Sequence, residues 1–596
     1  MKNINLKPLY YIILLTLIIH INCLNNTFVN LDDPYYLNHE YIRNFNWNSF
    51  KLILNPLSNM DRGNYYQPVV FITYSLDYSI WKLHYYGYHL TNLIIFIITL
   101  IPLYLITMKL FNNKYISYVT LLLFATHPVH IELVAWISGR PLLLAGLFIF
   151  LSLYFFIISS DHISYKIISV ISLIFAILSH PVSCLFPFVL LLLYCLPDFS
   201  EGKSLFYKTI SFLPYILTVM VIEMPLFFLH AQGNREEMIR DYTHNINTSV
   251  KIFGKYCEII WWPGQLSAIY PAKIETSFIL SLCLFIILIS SLIYSYIKDR
   301  KVFFSLAWFL IFYMPVSNLF FTIHPDVPVA DRYIYIPSFG IFLWFATGTC
   351  RLWEGNKKIY KIILSTCLII IIGICSFISY ERCSVWKNSL TLWNDALKKY
   401  PDLYKAYNGR GLYYTDSEEY DMALNDFNRA LSIRPDYGEA YYNRGKLYKI
   451  KGEYNKAIND FTCALNIYED CDIYLERGIA FYSIRNYDKA IEDFTHILTI
   501  KPQSIEIYNY RGTIYNMKGE YNKAIEDFTS ALTINSSYPV LYQNRAFSYF
   551  KQKEYKKAWE DINKLKEKGY DIEESFLKDL EKASGQKMDN YRGEHK

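Results

Sequence analysis

What most restricts the possible fold of this chain is a series of apolar segments before Ser379, each about as long as a bilayer is thick and joined by polar connections. A helix that crosses a bilayer needs about twenty mostly apolar residues. Eleven stretches qualify, at about 7–25, 89–111, 115–131, 141–159, 164–180, 181–197, 206–230, 276–297, 302–322, 333–351 and 358–379. In lipid the backbone must satisfy its own hydrogen bonds, so such stretches become helices. The 53% hydrophobic and 18% aromatic content of the 596 residues is therefore uneven: residues 1–380 read as a polytopic helix bundle and the rest as soluble. The first stretch has the length of a signal peptide. Cys23-Leu24-Asn25-Asn26 gives no small-residue cleavage pattern, however, and more spans follow, so it reads as a retained helix.

Lys and Arg set the orientation, because they favour short connections on the cytoplasmic side. With the N-terminus inside, inner connections carry Lys109 and Lys114, Lys166, Lys203 and Lys208, then Lys298, Arg300 and Lys301, then Arg351, Lys357 and Lys358. The short outer connections carry only Arg140. An odd number of spans then places everything after Ser379 outside, in the periplasm or the lumen of the endoplasmic reticulum. A net charge of +5 with no basic block gives no sign of a nucleic-acid partner. The eleven Cys show neither a CxxC nor a Cys/His ligand spacing, so neither a zinc site nor a disulfide framework is implied.

The outer side also holds two long loops, about 26–88 and 231–275, rich in aromatic residues suited to the membrane surface. Asp32 and Asp33 stand where the chain leaves the first span, with no Lys or Arg next to them in sequence. The same side carries Tyr66-Gln67-Pro68, His89 and Asn92, His127, His130 and Glu132, Arg140, and Asp331 with Arg332. Carboxylate, imidazole and guanidinium groups recurring on one face suit an anionic, lipid-linked substrate: Arg grips phosphate bidentately and a carboxylate serves as base. Taken singly, each residue is as well explained as a solvated loop or an interfacial anchor.

From about Val385 a repeat takes over. Arg410-Gly411, Arg444-Gly445, Arg477-Gly478, Arg511-Gly512 and Arg545-Ala546 recur at spacings of 34, 33, 34 and 34. An Ala follows twelve residues after each small residue (Ala423, Ala457, Ala490, Ala524, Ala558), and four later comes Phe427, Phe461, Phe494, Phe528 or Ile562. Small residues mark close helix crossings and large ones fill the space between, which is the tetratricopeptide repeat pattern. Five repeats are expected over 381–569, with a partial unit before them (Trp386, Leu390, Trp393, Ala396) and a polar tail over 570–596. Each repeated Arg has an acid sixteen residues on (Asp426, Asp460, Asp493, Asp527, Asp561), read as an ion pair between the two helices of a repeat rather than a ligand ladder. Asn408, Asn443, Asn509 and Asn544 are the candidates for an acceptor groove lined by the first helices.

Together the two halves resemble the transmembrane and tetratricopeptide repeat O-mannosyltransferases and their prokaryotic relatives, membrane glycosyltransferases of the GT-C class. The strings that carry the resemblance are Asn30-Leu31-Asp32-Asp33 with Asn38, Tyr66-Gln67-Pro68-Val69, and Tyr88-His89-Leu90-Thr91-Asn92. Next come His127-Pro128-Val129-His130-Ile131-Glu132, Trp136-Ile137-Ser138-Gly139-Arg140, and Ala330-Asp331-Arg332-Tyr333 running on through Gly340. The chain departs from the pattern at Gln67, where the family often has Arg or His, and at His180, where it often has Lys. The resemblance implies transfer of a sugar, mannose in particular, from a polyprenyl-phosphate donor to Ser or Thr of a polypeptide on the outer face. It implies Asp32 or Asp33 as the base, with Asp33 the candidate for a divalent metal. Arg332 and Arg140 would meet the donor phosphate, His130, Glu132 and His89 would orient sugar or acid, and the repeats would hold the acceptor. Two readings compete with it: a non-catalytic membrane-anchored scaffold, and an enzyme for another lipid-linked sugar or a non-protein acceptor.

Overall fold

The computed structural model describes residues 7–56, 66–159, 162–200, 211–223, 242–319, 327–355 and 357–585. Among these residues helices predominate and no β-strand occurs. Parts of the two outer loops (57–65 and 231–241), parts of the spans expected at 206–230 and 302–322, and the tail from 586 lie outside the described residues.

Among the described residues seven helices are long and apolar enough to cross a membrane: Lys7–Asn25, Tyr85–Phe111, Ile137–Ile157, Phe278–Lys298, Arg300–Ser317, Asp331–Gly355 and Lys358–Val385. The protein is an integral membrane protein. The span expected at 115–131 is a pair, Lys114–Thr126 and Pro128–Ala135, bent by 51°. Pro128 has no N–H to continue the first helix and holds His127 extended, and the His127 ring accepts the Val129 N–H to start the next turn. The spans expected at 164–180 and 181–197 correspond to shorter apolar helices, Ile163–Ile177 and Pro181–Leu193, and the described part of the span expected at 206–230 is helical over Ser211–Glu223. Pro181 accounts for the break between the first two. Among the described residues the eleven expected stretches fall on seven long apolar helices, one bent pair and three shorter apolar segments. The loop after the first span folds into Asp33–Leu37, Glu40–Arg43, Trp47–Ile53 and Pro68–Trp81.

The chain divides into two compact units, Met1–Arg410 and Gly411–Lys596. The first unit extends past the expected boundary at 380 because residues 381–410 are part of its core. Trp386 and Trp393 are buried, Trp386 stacks on Trp136 at 5.8 Å, and Trp393 packs with Ile269, Leu403 and Ala406. Each buried indole removes about 150–250 Å² from water, an upper estimate of about 4–6 kcal/mol.

The second unit is built of helix pairs: Gly438–Ile450 with Tyr454–Ile467, Cys471–Ser483 with Tyr487–Ile500, Ile505–Lys518 with Tyr521–Ile534, and Pro539–Lys551 with Tyr555–Glu567. The repeated Gly is there because Phe lies against it. A Cβ on Gly478 would stand 2.8 Å from the Phe494 ring, and Gly445 and Gly512 face Phe461 and Phe528 in the same way. Where Ala546 replaces Gly, Ile562 replaces Phe, and the smaller side chain makes room for the methyl. Arg444, Arg477, Arg511 and Arg545 each donate two hydrogen bonds to the acid of their own repeat, at 2.7–3.0 Å. Those four pairs tie helix to helix within a repeat, as read from the sequence.

Candidate active site

The site begins where the first span ends. Asp32 is exposed and occupies the N-cap of the short helix Asp33–Leu37. Asp33 points the other way and is 1% exposed. Its two oxygens accept the Ser138 hydroxyl at 2.6 Å and the Val29 N–H at 2.8 Å. Burial pushes its pKa up to about 7, opposed in part by those two bonds and aided by the charge on Asp32. The adjacent acids therefore differ in kind: one is open to a reactant, the other fastens the loop to the Trp136–Arg140 turn.

The loop is held from its other side by residues that precede the repeats. The Thr27 N–H donates to the Lys387 carbonyl (2.8 Å) and the Asn30 N–H to Ser389 Oγ (2.9 Å). The Asn30 side chain accepts the Trp393 indole N–H at 2.7 Å and donates to the Gly409 carbonyl at 2.8 Å. Gly409 allows this, since a Cβ there would lie 2.3 Å from the Trp393 ring. Asn30 belongs to one of the family-like strings, but nothing in its spacing pointed to partners more than 350 residues away.

Arg332 is held at Glu132. Its Nη1 donates to Glu132 Oε1 at 2.6 Å and its backbone N–H to Oε2 at 3.0 Å, while the guanidinium stands over Trp136 (5.2 Å) and Tyr333 (5.0 Å). The Glu132 side chain is 1% exposed and that of Arg332 20%, so the cation keeps an open edge. Asp32 and His180 both lie within its field. The expected Glu132 and Arg332 are thus brought together, near Asp32.

Arg140, expected at the donor phosphate, has a different place. It is wholly buried, paired with Asp77 at 2.6 Å, donating to Asn92 Oδ1 (2.8 Å) and the Tyr88 carbonyl (3.0 Å), and stacked on Tyr74 at 4.2 Å. No exposed edge of this guanidinium remains for a phosphate to meet. His130 is also occupied: its ring nitrogens meet the Phe124 carbonyl (2.7 Å) and Ser338 Oγ (3.0 Å). His89 is buried within Tyr85–Phe111, in the field of Arg140. All three side chains are buried, unlike Arg332.

Reading the sequence alone missed Asp77 and a second charged group. Tyr270 donates to Asp331 at 2.5 Å, Arg382 lies 4.0 Å from Asp331 and 2.8 Å from Asp395, and Lys399 joins Asp395 at 2.7 Å. The missed signal for Asp77 was an acid inside an apolar helix, which calls for a basic partner. Gln67 is buried and accepts the Tyr36 hydroxyl at 3.2 Å. Among the described residues no three His, Cys, Asp or Glu side chains converge as a metal site requires, and Asp33 spends its oxygens on Ser138 and Val29. In the repeats, Asn544 donates to Asn509 at 2.9 Å and Asn408 is buried.

Similarity to known proteins bears on both halves. Tetratricopeptide repeat models match residues 411–449, and again 438–471 and 505–538. Over 416 residues, 62% of this chain, the sequence is 24% identical to human Protein O-mannosyl-transferase TMTC3. It is 26% identical over 446 residues, 68% of this chain and 60% of the relative, to Protein O-mannosyl-transferase F38B6.6 of Caenorhabditis elegans. The chain is thus similar, over more than half of its length, to proteins named protein O-mannosyl-transferase, and it carries tetratricopeptide repeats. An 88-residue stretch, 15% of the chain, is 35% identical to human Protein O-mannosyl-transferase TMTC1. Among the described residues, apolar helices precede the repeats. The match covers 45% of the human TMTC3 protein, so the chain spans rather less than half of that relative's length. Among solved structures, the TPR protein YrrB is 17% identical with a TM-score of 0.27, covering 33% of this chain and 94% of that one.

Proposed function

We propose that the protein is a membrane glycosyltransferase that moves mannose from a polyprenyl-phosphate donor to a Ser or Thr hydroxyl on the outer face. The observation that carries this reading is the exposed Asp32 within the field of the partly open Arg332, on a loop pinned by Asp33 and Ser138. Its relatives bear the name protein O-mannosyl-transferase. Asp32 takes the proton of the acceptor hydroxyl as its oxygen attacks the anomeric carbon. The bond to the donor phosphate breaks on the opposite side, inverting that carbon, and the leaving phosphate gathers charge that Arg332 stabilises. Glu132 aims Arg332, Asp33 holds Asp32 in place, and Arg140 stiffens the turn that carries Ser138. Where donor binding needs a divalent ion, the exposed Asp32 is a more available ligand than Asp33.

In this reading the N-terminus is cytoplasmic and the repeats are lumenal or periplasmic, holding the acceptor polypeptide and raising its effective concentration. Asn408, Asn443, Asn509 and Asn544 mark the face to test for that contact. The experiment is transfer by purified, lipid-reconstituted protein offered labelled polyprenyl-phosphate mannose and a Ser/Thr-rich peptide. Wild type is expected to transfer. Asp32→Asn is expected to fold and lose transfer by about 10³-fold or more, the loss of a general base together with a transition-state contact. Full activity in Asp32→Asn refutes the assignment, and no transfer by wild type with any lipid-linked sugar points to a scaffold instead.

A further inference from the structure

Cys23 and Cys383 sit in the last turns of the first and the final long apolar helices, 360 positions apart in sequence. Both are fully buried, and their Sγ atoms are 2.9 Å apart. A disulfide lies at about 2.05 Å, so the two sulfurs are in direct contact here and need to close by less than about 1 Å to be joined. Their surroundings hold the two strands of chain in one register. Cys383 Sγ lies 3.6 Å from the Ile19 carbonyl, and Asn26 Nδ2 donates to the Cys383 carbonyl at 3.2 Å. One turn further out, Thr27 donates to Lys387 from both its N–H (2.8 Å) and its hydroxyl (3.1 Å). Val29, Trp136 and Trp386 seal the sulfurs in a common apolar cluster. Two thiols placed so closely in an apolar pocket gain little as hydrogen-bonding groups, because sulfur is a weak donor and acceptor.

We propose that Cys23 and Cys383 are joined by a disulfide that locks the acid-bearing loop to the segment leading into the repeats. The assignment rests on the outer orientation proposed above, since that side is the oxidising one. The bond forms by thiol–disulfide exchange. One cysteine loses its proton and attacks the disulfide of a dithiol-disulfide oxidant protein, giving a mixed disulfide. The second thiolate then attacks that bond. Two protons and two electrons pass to the oxidant, which leaves as a dithiol, and one S–S bond remains in the chain. With both sulfurs buried, exchange takes place before the seam closes, during folding, and the finished bond is then shielded from reductants. The role is positional: the bond fixes residues 26–33 against residues 387–409, and with them the place of Asp32.

The test uses the full chain in its own membranes. Free thiols are blocked with N-ethylmaleimide under denaturing conditions; the protein is then reduced and labelled with a polyethylene-glycol maleimide. In parallel, sealed vesicles are treated with protease to find which side carries the residues after 411. Two labels on wild type, none on Cys23→Ser or Cys383→Ser, and a Cys23–Cys383 peptide by mass spectrometry establish the bond. Because wild type gives the primary reading, poor folding of a variant does not decide the result. No label on wild type with the repeats protected overturns the pairing and leaves the orientation standing. No label with the repeats digested from the cytoplasmic side overturns both. Two labels with digested repeats keep the pairing and overturn the orientation.

Discussion

Replacing Arg140 by Met asks whether this guanidinium serves substrate or scaffold. In the fold it answers Asp77 at 2.6 Å, with the two side chains 0% and 7% exposed, and it donates to Asn92 and to the Tyr88 carbonyl. Removing it leaves Asp77 with Thr91 as its hydrogen-bond donor, at 2.8 Å. An ion left buried without its partner costs about 3–5 kcal/mol, roughly 5–15 °C of thermal midpoint for the membrane half. Asp77→Asn alone strands the positive charge and costs a similar amount, whereas the double variant strands neither. Replacing a buried pair by neutral groups is often close to neutral, so the double variant should recover to within about 2 kcal/mol of wild type, a coupling of about 4 kcal/mol or more. The assay is thermal unfolding in lipid nanodiscs together with sugar transfer. If Arg140 is scaffold, the double variant regains transfer along with stability. Recovered stability with transfer still absent would show that the guanidinium meets the donor, and additive losses would show that the pair with Asp77 contributes nothing.

Three further outcomes are expected from the same geometry. Because folding raises the pKa of Asp33 from 3.8 to about 7, the folded state holds a proton that the unfolded chain releases in that range. Stability should therefore fall as pH rises from about 4 to 7 and level off above, by about 4 kcal/mol at most, and Asp33→Asn should flatten that slope in thermal scans across pH. Arg332→Lys keeps the charge and the backbone bond to Glu132 but loses the planar guanidinium that donates to Glu132 and lies over Trp136 and Tyr333. Transfer should fall about 10–100-fold with little change in thermal midpoint, and unaltered kinetics would remove Arg332 from the reaction. Gly478→Ala should cost up to about 2 kcal/mol, a clash of about 1–3 kcal/mol offset by about 1 kcal/mol of helix propensity. Adding Phe494→Ile, which copies the Ala546–Ile562 arrangement, should relieve it in full-chain unfolding; equal losses with and without the second change would refute the packing account.

The features legible in the sequence are those that repeat or that match lipid thickness. The spans, the Gly–Phe register and the Arg–Asp pairs all come from local spacing. The break at His180-Pro181 is local and legible, since the 164–197 region reads as a hairpin or one kinked element there, whereas a count of apolar residues does not see the bend at Pro128. Other features depend on the distance the chain travels before it meets itself. Nothing near Asn30 names Trp393 or Gly409, and nothing near Arg140 names Asp77. The guanidinium at 140 and that at 332 look alike as letters in an outer loop. Burial separates them, one enclosed and one 20% exposed, and burial is set by tertiary packing.

The seam between residues 26–33 and 387–409 also carries a consequence for biosynthesis. The loop that bears Asp32 is among the first parts of the chain to be made, yet Lys387, Ser389, Trp393 and Gly409, which hold it, are made last in the membrane unit. A ribosome-bound chain that has completed every earlier span still lacks those anchors. Assembly of the acid loop thus waits on the arrival of the residues that introduce the repeats, so a nascent or truncated membrane half has its acids in hand but no fixed place for them.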